Sequence, residues 1–275
     1  MSTSAATLSP SAPLDVGALL RRWRDQRRLS QMELALEADV STRHLSFVET
    51  GRSRPSREMV VKLAEHLDVP LRERNQLLLA AGYAPAYPES SLEDAELSQV
   101  REAVRQLLVA HEPFPAVAVD RRWELVDGNA GVALITAGAA AHLLEPPVNA
   151  LRLSLHPEGM APRIANLAEW RAHVLGRLRR EVTATQDPQL KALLAELSGY
   201  PGGDEGEARL PRQGEIVVPL RLRTDDAGEL TFMSTVTTFG TPLDITVSEL
   251  SIEAFFPADA HTAQVLRATV SQDEG

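Results

Sequence analysis

The chain contains no cysteine, which excludes disulfides, thiolate metal ligands, a cysteine nucleophile and a cysteinyl-flavin adduct. That fits a reducing compartment and an expected cytoplasmic location. Lysine is nearly as scarce, occurring only at Lys62 and Lys191. A self-cleaving Ser–Lys dyad needs a buried lysine with a lowered pKa. Lys191 falls among alternating polar neighbours of a predicted surface helix, so no enzyme is expected. No run of eighteen apolar residues exists, and no membrane span is expected. Residues 1–13 carry no charged side chain and lack the basic start and apolar stretch of a signal peptide; they read as a disordered tail. None of the seven histidines stands out as a haem ligand, and no histidine pair at i, i+4 has a third ligand nearby. The stretch "YPGGDEGE" lacks the lysine and the strand–helix frame of a phosphate loop. No metal or resident cofactor is therefore expected.

What is present is unevenly distributed. The net charge is −10, but residues 1–84 hold 12 basic against 10 acidic residues, and the rest holds 16 against 28. Such asymmetry suggests two parts with different partners. The segment "RRWRDQRR" (21–28) concentrates five arginines, a cluster able to face phosphate. The 275 residues suit two ordinary domains, and 44% hydrophobic content is enough for packed cores.

Five short helices are predicted between residues 14 and 83. The first, over 15–27, aligns Val16, Leu19, Leu20 and Trp23 on one face. The second opens at Ser30 with "SQME", a capping box closed by Glu33. The third, over 42–50, ends at Gly51. The fourth starts from Ser56 with Met59, Val60, Leu63 and Leu67 as its buried stripe, and "LRERNQLLLAAGY" forms the fifth. "APAYPESS" (84–91) reads as a linker. It precedes a helix at 92–110 with a stripe of Leu97, Val100, Val104, Leu107 and Leu108. Together 84–111 forms a connecting segment.

Residues 112–275 change texture. "FPAVAVD" and "WELVDGN" read as strands, followed by helices at about 129–144, 163–182 and 187–198. Residues 200–214 read as a loop, and then come strands "EIVVPLRLR", "ELTFMSTVTTF" and "ITVSELSIEAFF", with a helix last. Alternating Ile216, Val218, Leu220 and Leu222 give the first of these strands one buried face, and Pro219 argues for an edge. The expected fold is therefore two domains: an all-α five-helix unit, then an α+β domain with a five-stranded antiparallel sheet, cupped so that it can enclose a small ligand.

The second and third helices meet the demands of a helix-turn-helix. Leu34 and Ala35 are apolar, Asp39 occupies the turn, and Val40, Leu45 and Val48 bury the inner side of the exposed helix. Thr42, Arg43, His44 and Phe47 face outward with chemistry suited to base edges. Gln31, Arg52 and Arg54 are placed to reach the DNA backbone. "SQMELALEADVSTRHLSFVETGRSRPS" resembles the helix-turn-helix of the lambdoid phage repressor and Xre family. That resemblance implies base reading at positions 42, 43, 44 and 47, and a structural pair of Arg24 with Glu49. Aspartate stands at position 39 where the family usually has glycine.

"VAVDRRWELVDGNAGVAL" resembles the start of a PAS-type sensor. "VNALRLSLHPEGMAPRIANLAEW" and "STVTTFGTPLDITVSELSIEAFFPAD" resemble the ligand-binding half of MmyB-like regulators. The resemblance implies an apolar small-molecule ligand of the fatty-acid type. Trp170 and Val174 on a closing helix, with Leu220, Leu222, Phe232, Ile252 and Phe256 on the sheet, are the candidate pocket walls. His156, Arg163 and Arg171 are the candidate partners for a ligand carboxylate. The expected protein is a homodimeric DNA-binding regulator. The alternative is a ligand-independent regulator whose second half serves dimerisation or a protein partner.

Overall fold

A computed structural model describes residues 15–202 and 217–273. The residues read as a disordered tail, Ile216 and nearly all of the loop 200–214 lie outside the described residues. The chain divides into two units after Pro88, inside the proline- and serine-rich stretch read as a linker. Each end of that stretch is anchored in its own unit. The Asn75 side chain bonds the backbone of Ala86 and Tyr87, while Ser90 bonds Asp244 and Thr246.

The first unit holds α1 (Val16–Gln26), α2 (Gln31–Glu37), α3 (Thr42–Glu49), α4 (Arg57–His66) and α5 (Leu71–Ala80). Its helices start where local chemistry starts them. Asp15, Ser30, Ser41 and Ser56 each accept a first-turn amide with the side chain, and Ser30 with Glu33 forms the full capping box. One core holds them together around Trp23, Leu20, Leu34, Leu45 and Leu63. A β-carbon at Gly17 would fall 2.3 Å from the Val48 carbonyl oxygen, so α1 packs backbone-close on α3.

The second unit opens with a 3₁₀ turn and α6 (Ser98–Ala110), then β1 (Ala116–Val119), β2 (Leu125–Gly128), α7 (Val132–Thr136), α8 (Ala150–Leu155), α9 (Leu167–Thr185), α10 (Pro188–Ser198), β3 (Leu220–Thr224), β4 (Gly228–Thr238), α11 (Ile245–Ser248), β5 (Ser251–Pro257) and α12 (Ala260–Asp273). The strands form one antiparallel sheet in the order β2-β1-β5-β4-β3. β3 lies at an edge, where Pro219 can precede it without costing a ladder bond. The β3–β4 hairpin turns at Gly228, whose φ is +75°.

Both faces of the sheet are covered. β1 sends Val117 and Val119 into the main core beneath α8, α9 and α10. Its small residues Ala116 and Ala118 let α6 close on the other face through Val104 and Leu108. This is why all four β1 residues are buried. Leu107, expected in the α6 stripe, is 47% exposed.

Three elements differ from the sequence reading. "ITVSELSIEAFF" is not one strand: Asp244 caps a short helix, α11, and β5 begins only at Ser251. The helix expected at 129–144 is two short pieces, broken around Gly138 at φ +76°. α8, capped by Asn149, had no expected counterpart. Among the described residues no helix is long and apolar enough to cross a membrane.

Candidate functional site

Helix α3 is presented from a rigid base. Arg24 of α1 donates from Nε to Glu49 Oε1 at 2.7 Å and from Nη2 to Oε2 at 2.9 Å. Its Nη1 donates to the Leu29 carbonyl at 2.8 Å. Both side chains are buried, so the pair works only because its hydrogen bonds are made. Hydrogen bonding to Glu49 holds the Arg24 guanidinium above its ordinary pKa. Gln31 completes the group, its amide nitrogen donating to Glu49 Oε2 at 2.8 Å. The sequence reading aimed that amide at phosphate; the tertiary structure turns it onto the carboxylate instead.

Thr42, Arg43 and His44 are exposed on the first turn of α3, and Phe47 is half-buried one turn on. The Arg43 guanidinium lies over the Phe47 ring, 5.4 Å from its centroid, so the two act as one surface. Asp39 turns the chain into α3 with φ +48°, and Gly51 turns it out with φ +69°.

Two arginine assignments change. Arg54 donates from Nε and Nη2 to the Ala81 carbonyl, at 2.9 and 2.6 Å, and lies over Tyr83. It clamps the end of α5. Arg27, within the basic cluster, donates to the Leu67 and Asp68 carbonyls at 2.7 and 2.8 Å. Helix C-termini carry orphan carbonyls and negative partial charge, and both arginines satisfy that demand. Arg21, Arg22, Arg28 and Arg52 stay exposed.

In the second unit, an apolar cavity of about 70 Å³ lies between the sheet and helices α7, α8 and α9. Trp170, Val174 and Leu220 line it, as expected. Leu222 and Phe232 are buried in the same core but do not reach the cavity wall. Ile252 and Phe256 belong to the opposite face: Ile252 packs with α6, and Phe256 is exposed beside His111. The alternation along β5 is thus out by one residue, and Glu253 and Phe255 are the residues at the cavity. A glutamate among apolar neighbours reads as a solvent position, and here it is the buried one.

None of the three proposed carboxylate partners lines the cavity. His156 accepts from the Glu158 amide at 3.0 Å and packs edge-on against Tyr200. Arg163 donates to the carbonyls of Ile135, Ala137 and Arg223. Arg171 donates to the Ser198 and Tyr200 carbonyls at 2.7 and 3.2 Å. These two arginines cap the ends of α7 and α10. The polar end of the cavity is instead formed by His173, Arg177 and Glu253, with Ser154 accepting from Trp170 Nε1 at 2.9 Å. The signal was present, because Trp170, His173, Val174 and Arg177 follow i, i+3, i+4, i+7 and share a helix face. Burial, then the neighbouring Arg177 and Arg180, push the His173 pKa down, favouring the neutral ring.

His142, His156 and Glu158 are the one cluster among the described residues with three ligand atoms within 4.8 Å of each other. The His156 Nδ1 already accepts a backbone hydrogen bond there.

The model of the MmyB-like transcription regulator ligand binding domain matches residues 100–268, most of the chain, and a helix-turn-helix model matches residues 20–74. The chain belongs to the MmyB-like family. HTH-type transcriptional regulators of Mycobacterium bovis and Mycobacterium tuberculosis are each 33% identical over 105 residues, 38% of this chain and 37% of theirs. The chain therefore spans well under half of those relatives. The RghRB HTH-type regulator of Bacillus subtilis is 32% identical over 111 residues, 39% of this chain and 77% of its own length. A solved RNA-binding light-oxygen-voltage receptor aligns over 94% of this chain and 62% of its own at 12% identity, with a TM-score of 0.27, too low to bear on fold or function. The cavity and its ionisable end lie inside the MmyB-like match, and α2, α3 and the Arg24–Glu49 pair lie inside the helix-turn-helix match.

Proposed function

We propose that this MmyB-like chain is a non-enzymatic, homodimeric transcription regulator that reads DNA with α3 and takes an apolar small molecule, of the fatty-acid type, into the cavity beneath α9. The observation that carries the reading is an exposed, arginine-bearing helix held by a fully bonded buried support, in the same chain as an apolar cavity with an ionisable end. Thr42, Arg43, His44 and Phe47 would meet base edges, and Arg52 with the exposed arginines of α1 would meet phosphate. Two copies would read half-sites about 34 Å apart. A ligand changes DNA affinity only if it prefers one of two arrangements.

The cavity volume favours a second reading as well. At about 70 Å³ it is less than half the size of the ~150 Å³ cavity that accommodates benzene, so a longer ligand requires the walls to part. A second unit that only dimerises or binds a protein would need no such opening. Intact mass under native and denaturing conditions, with mass spectrometry of the solvent extract, separates the two. A stoichiometric apolar compound released on denaturation supports the sensor. A bare chain whose affinity for a selected operator ignores added amphiphiles supports the second reading.

A further inference from the structure

The polar end of the cavity holds an ion pair between a buried carboxylate and a half-buried guanidinium, and it is incompletely made. Glu253 is 9% exposed, and its Oε1 lies 3.5 Å from Arg177 Nη1, longer than a charge-assisted hydrogen bond. The groups facing Glu253 are few. From α9 come Arg177 and Glu181, with His173 on the same cavity wall and favoured as the neutral ring, and from β4 the Ser234 hydroxyl bonds it. From β1 the residue opposite is the uncharged Val117. Glu181 is itself turned toward the Trp123 Nε1, which donates to it at 2.8 Å, and toward Arg177 Nε at 3.4 Å. Arg177 lies over the Trp123 ring, 4.2 Å from its centroid. That stacking and Glu181 hold the guanidinium at the cavity without Glu253. Burial and Glu181 push the Glu253 carboxyl up, against the opposing pull of Arg177 and Ser234.

A cation fixed at the end of an apolar cavity selects an amphiphile with an anionic head. Seating that head beside an ionised Glu253 would place two carboxylates on one guanidinium, which like-charge repulsion in a buried site forbids. We propose that the ligand's carboxylate displaces Glu253 from Arg177 while Glu253 takes up one proton from solvent, so that binding is a carboxylate exchange coupled to protonation. This deepens the reading of the cavity as the ligand site and rests on it. The charges balance: Arg177 begins paired with an ionised Glu253 and ends paired with the ligand anion, beside a neutral Glu253. The complex gains one anion and one proton. Affinity for a carboxylate therefore falls as pH rises above the Glu253 pKa, by about tenfold per pH unit. A neutral amphiphile shows no such dependence.

The test uses the full chain and two probes of equal length, octanoate and octan-1-ol, titrated calorimetrically between about pH 6 and pH 8 in buffers of different ionisation heat. Above the Glu253 pKa octanoate is expected to take up about one proton per molecule bound and to weaken as pH rises. Octan-1-ol is expected to bind without proton uptake. Glu253→Gln should bind octanoate at least as tightly as the wild type, with proton uptake and pH dependence gone. Arg177→Gln should lose the preference for octanoate over octan-1-ol. Octanoate binding to the wild type without proton uptake overturns the exchange, and so does octan-1-ol binding with octanoate excluded; both leave the cavity as a ligand site. Failure of both probes to bind overturns the exchange and the ligand reading together. The proton count is read on the wild-type protein, so the outcome does not depend on a variant folding.

Discussion

Each half of the molecule pairs a buried glutamate with an arginine, and the two pairs are built in opposite ways. Arg24–Glu49 makes two short hydrogen bonds, with Gln31 and the Leu29 carbonyl taking up further donors and acceptors. Arg177–Glu253 makes one contact at 3.5 Å, and its carboxylate sits against an apolar cavity. A fully satisfied buried network fixes geometry, while a partly satisfied one leaves free energy available to a competitor. The first unit uses its pair to hold a helix still. The second keeps its pair exchangeable.

The largest test removes the carboxylate of the finished pair. Glu49→Ala should cost about 3–5 kcal/mol of folding stability, because Arg24 is left buried without its partner. Denaturant unfolding followed by circular dichroism measures it. A loss as large in Glu253→Gln would erase the contrast between the two pairs.

The next effect is on recognition. Arg43→Ala should lower discrimination between a selected operator and scrambled DNA by about 1–3 kcal/mol. Arg52→Ala should weaken both DNAs alike and reduce the salt slope by about one. Equal losses on both DNAs for Arg43→Ala would move Arg43 from base edge to backbone.

A smaller effect separates structural arginines from DNA-facing ones. Arg54→Ala should lower stability by about 0.5–1.5 kcal/mol through its lost bonds to Ala81, with affinity for random DNA unchanged at fixed salt. A uniform loss of DNA affinity at unchanged stability would return Arg54 to the phosphate backbone.

The last effect is a slope. The Glu253 carboxyl is raised in the folded state by burial, so the folded chain binds the proton more tightly than the unfolded chain. Stability contributed by that proton is present below the unfolded carboxylate pKa and is lost as pH rises through the raised folded value. The loss is about 1.4 kcal/mol for each unit of elevation. Glu253→Gln should flatten this slope in thermal melts taken across pH and be the more stable protein near neutrality. A wild-type slope that Glu253→Gln leaves unchanged would assign it to another group.

The helices of the first unit were legible from local signals. Its caps at Ser30 and Ser56 and its left-handed turn at Asp39 act over three or four residues, which a sequence displays directly. The pocket was legible only in part. Trp170, Val174 and Leu220 follow from periodicity, whereas Glu253 was hidden because burial of a carboxylate contradicts hydropathy. Arg163 and Arg171 do not line the cavity beneath α9, which the sequence hides for one reason: a basic side chain near a pocket and one that caps a helix end look alike until the helix ends are placed.

By itself the sequence determined the kinds of element, the helix-turn-helix and the five-stranded antiparallel class, since these rest on local hydrogen bonding and on the 3.6- and 2-residue periods. The tertiary structure decided where each charge finds its partner: Gln31 on Glu49, Arg54 on Ala81, and Arg177 on Glu253. It also decided which face of β5 meets the cavity. The physical reason is that a buried charge must be satisfied by whatever the fold brings within a few ångströms, and that neighbour is set by packing across the chain rather than by position along it.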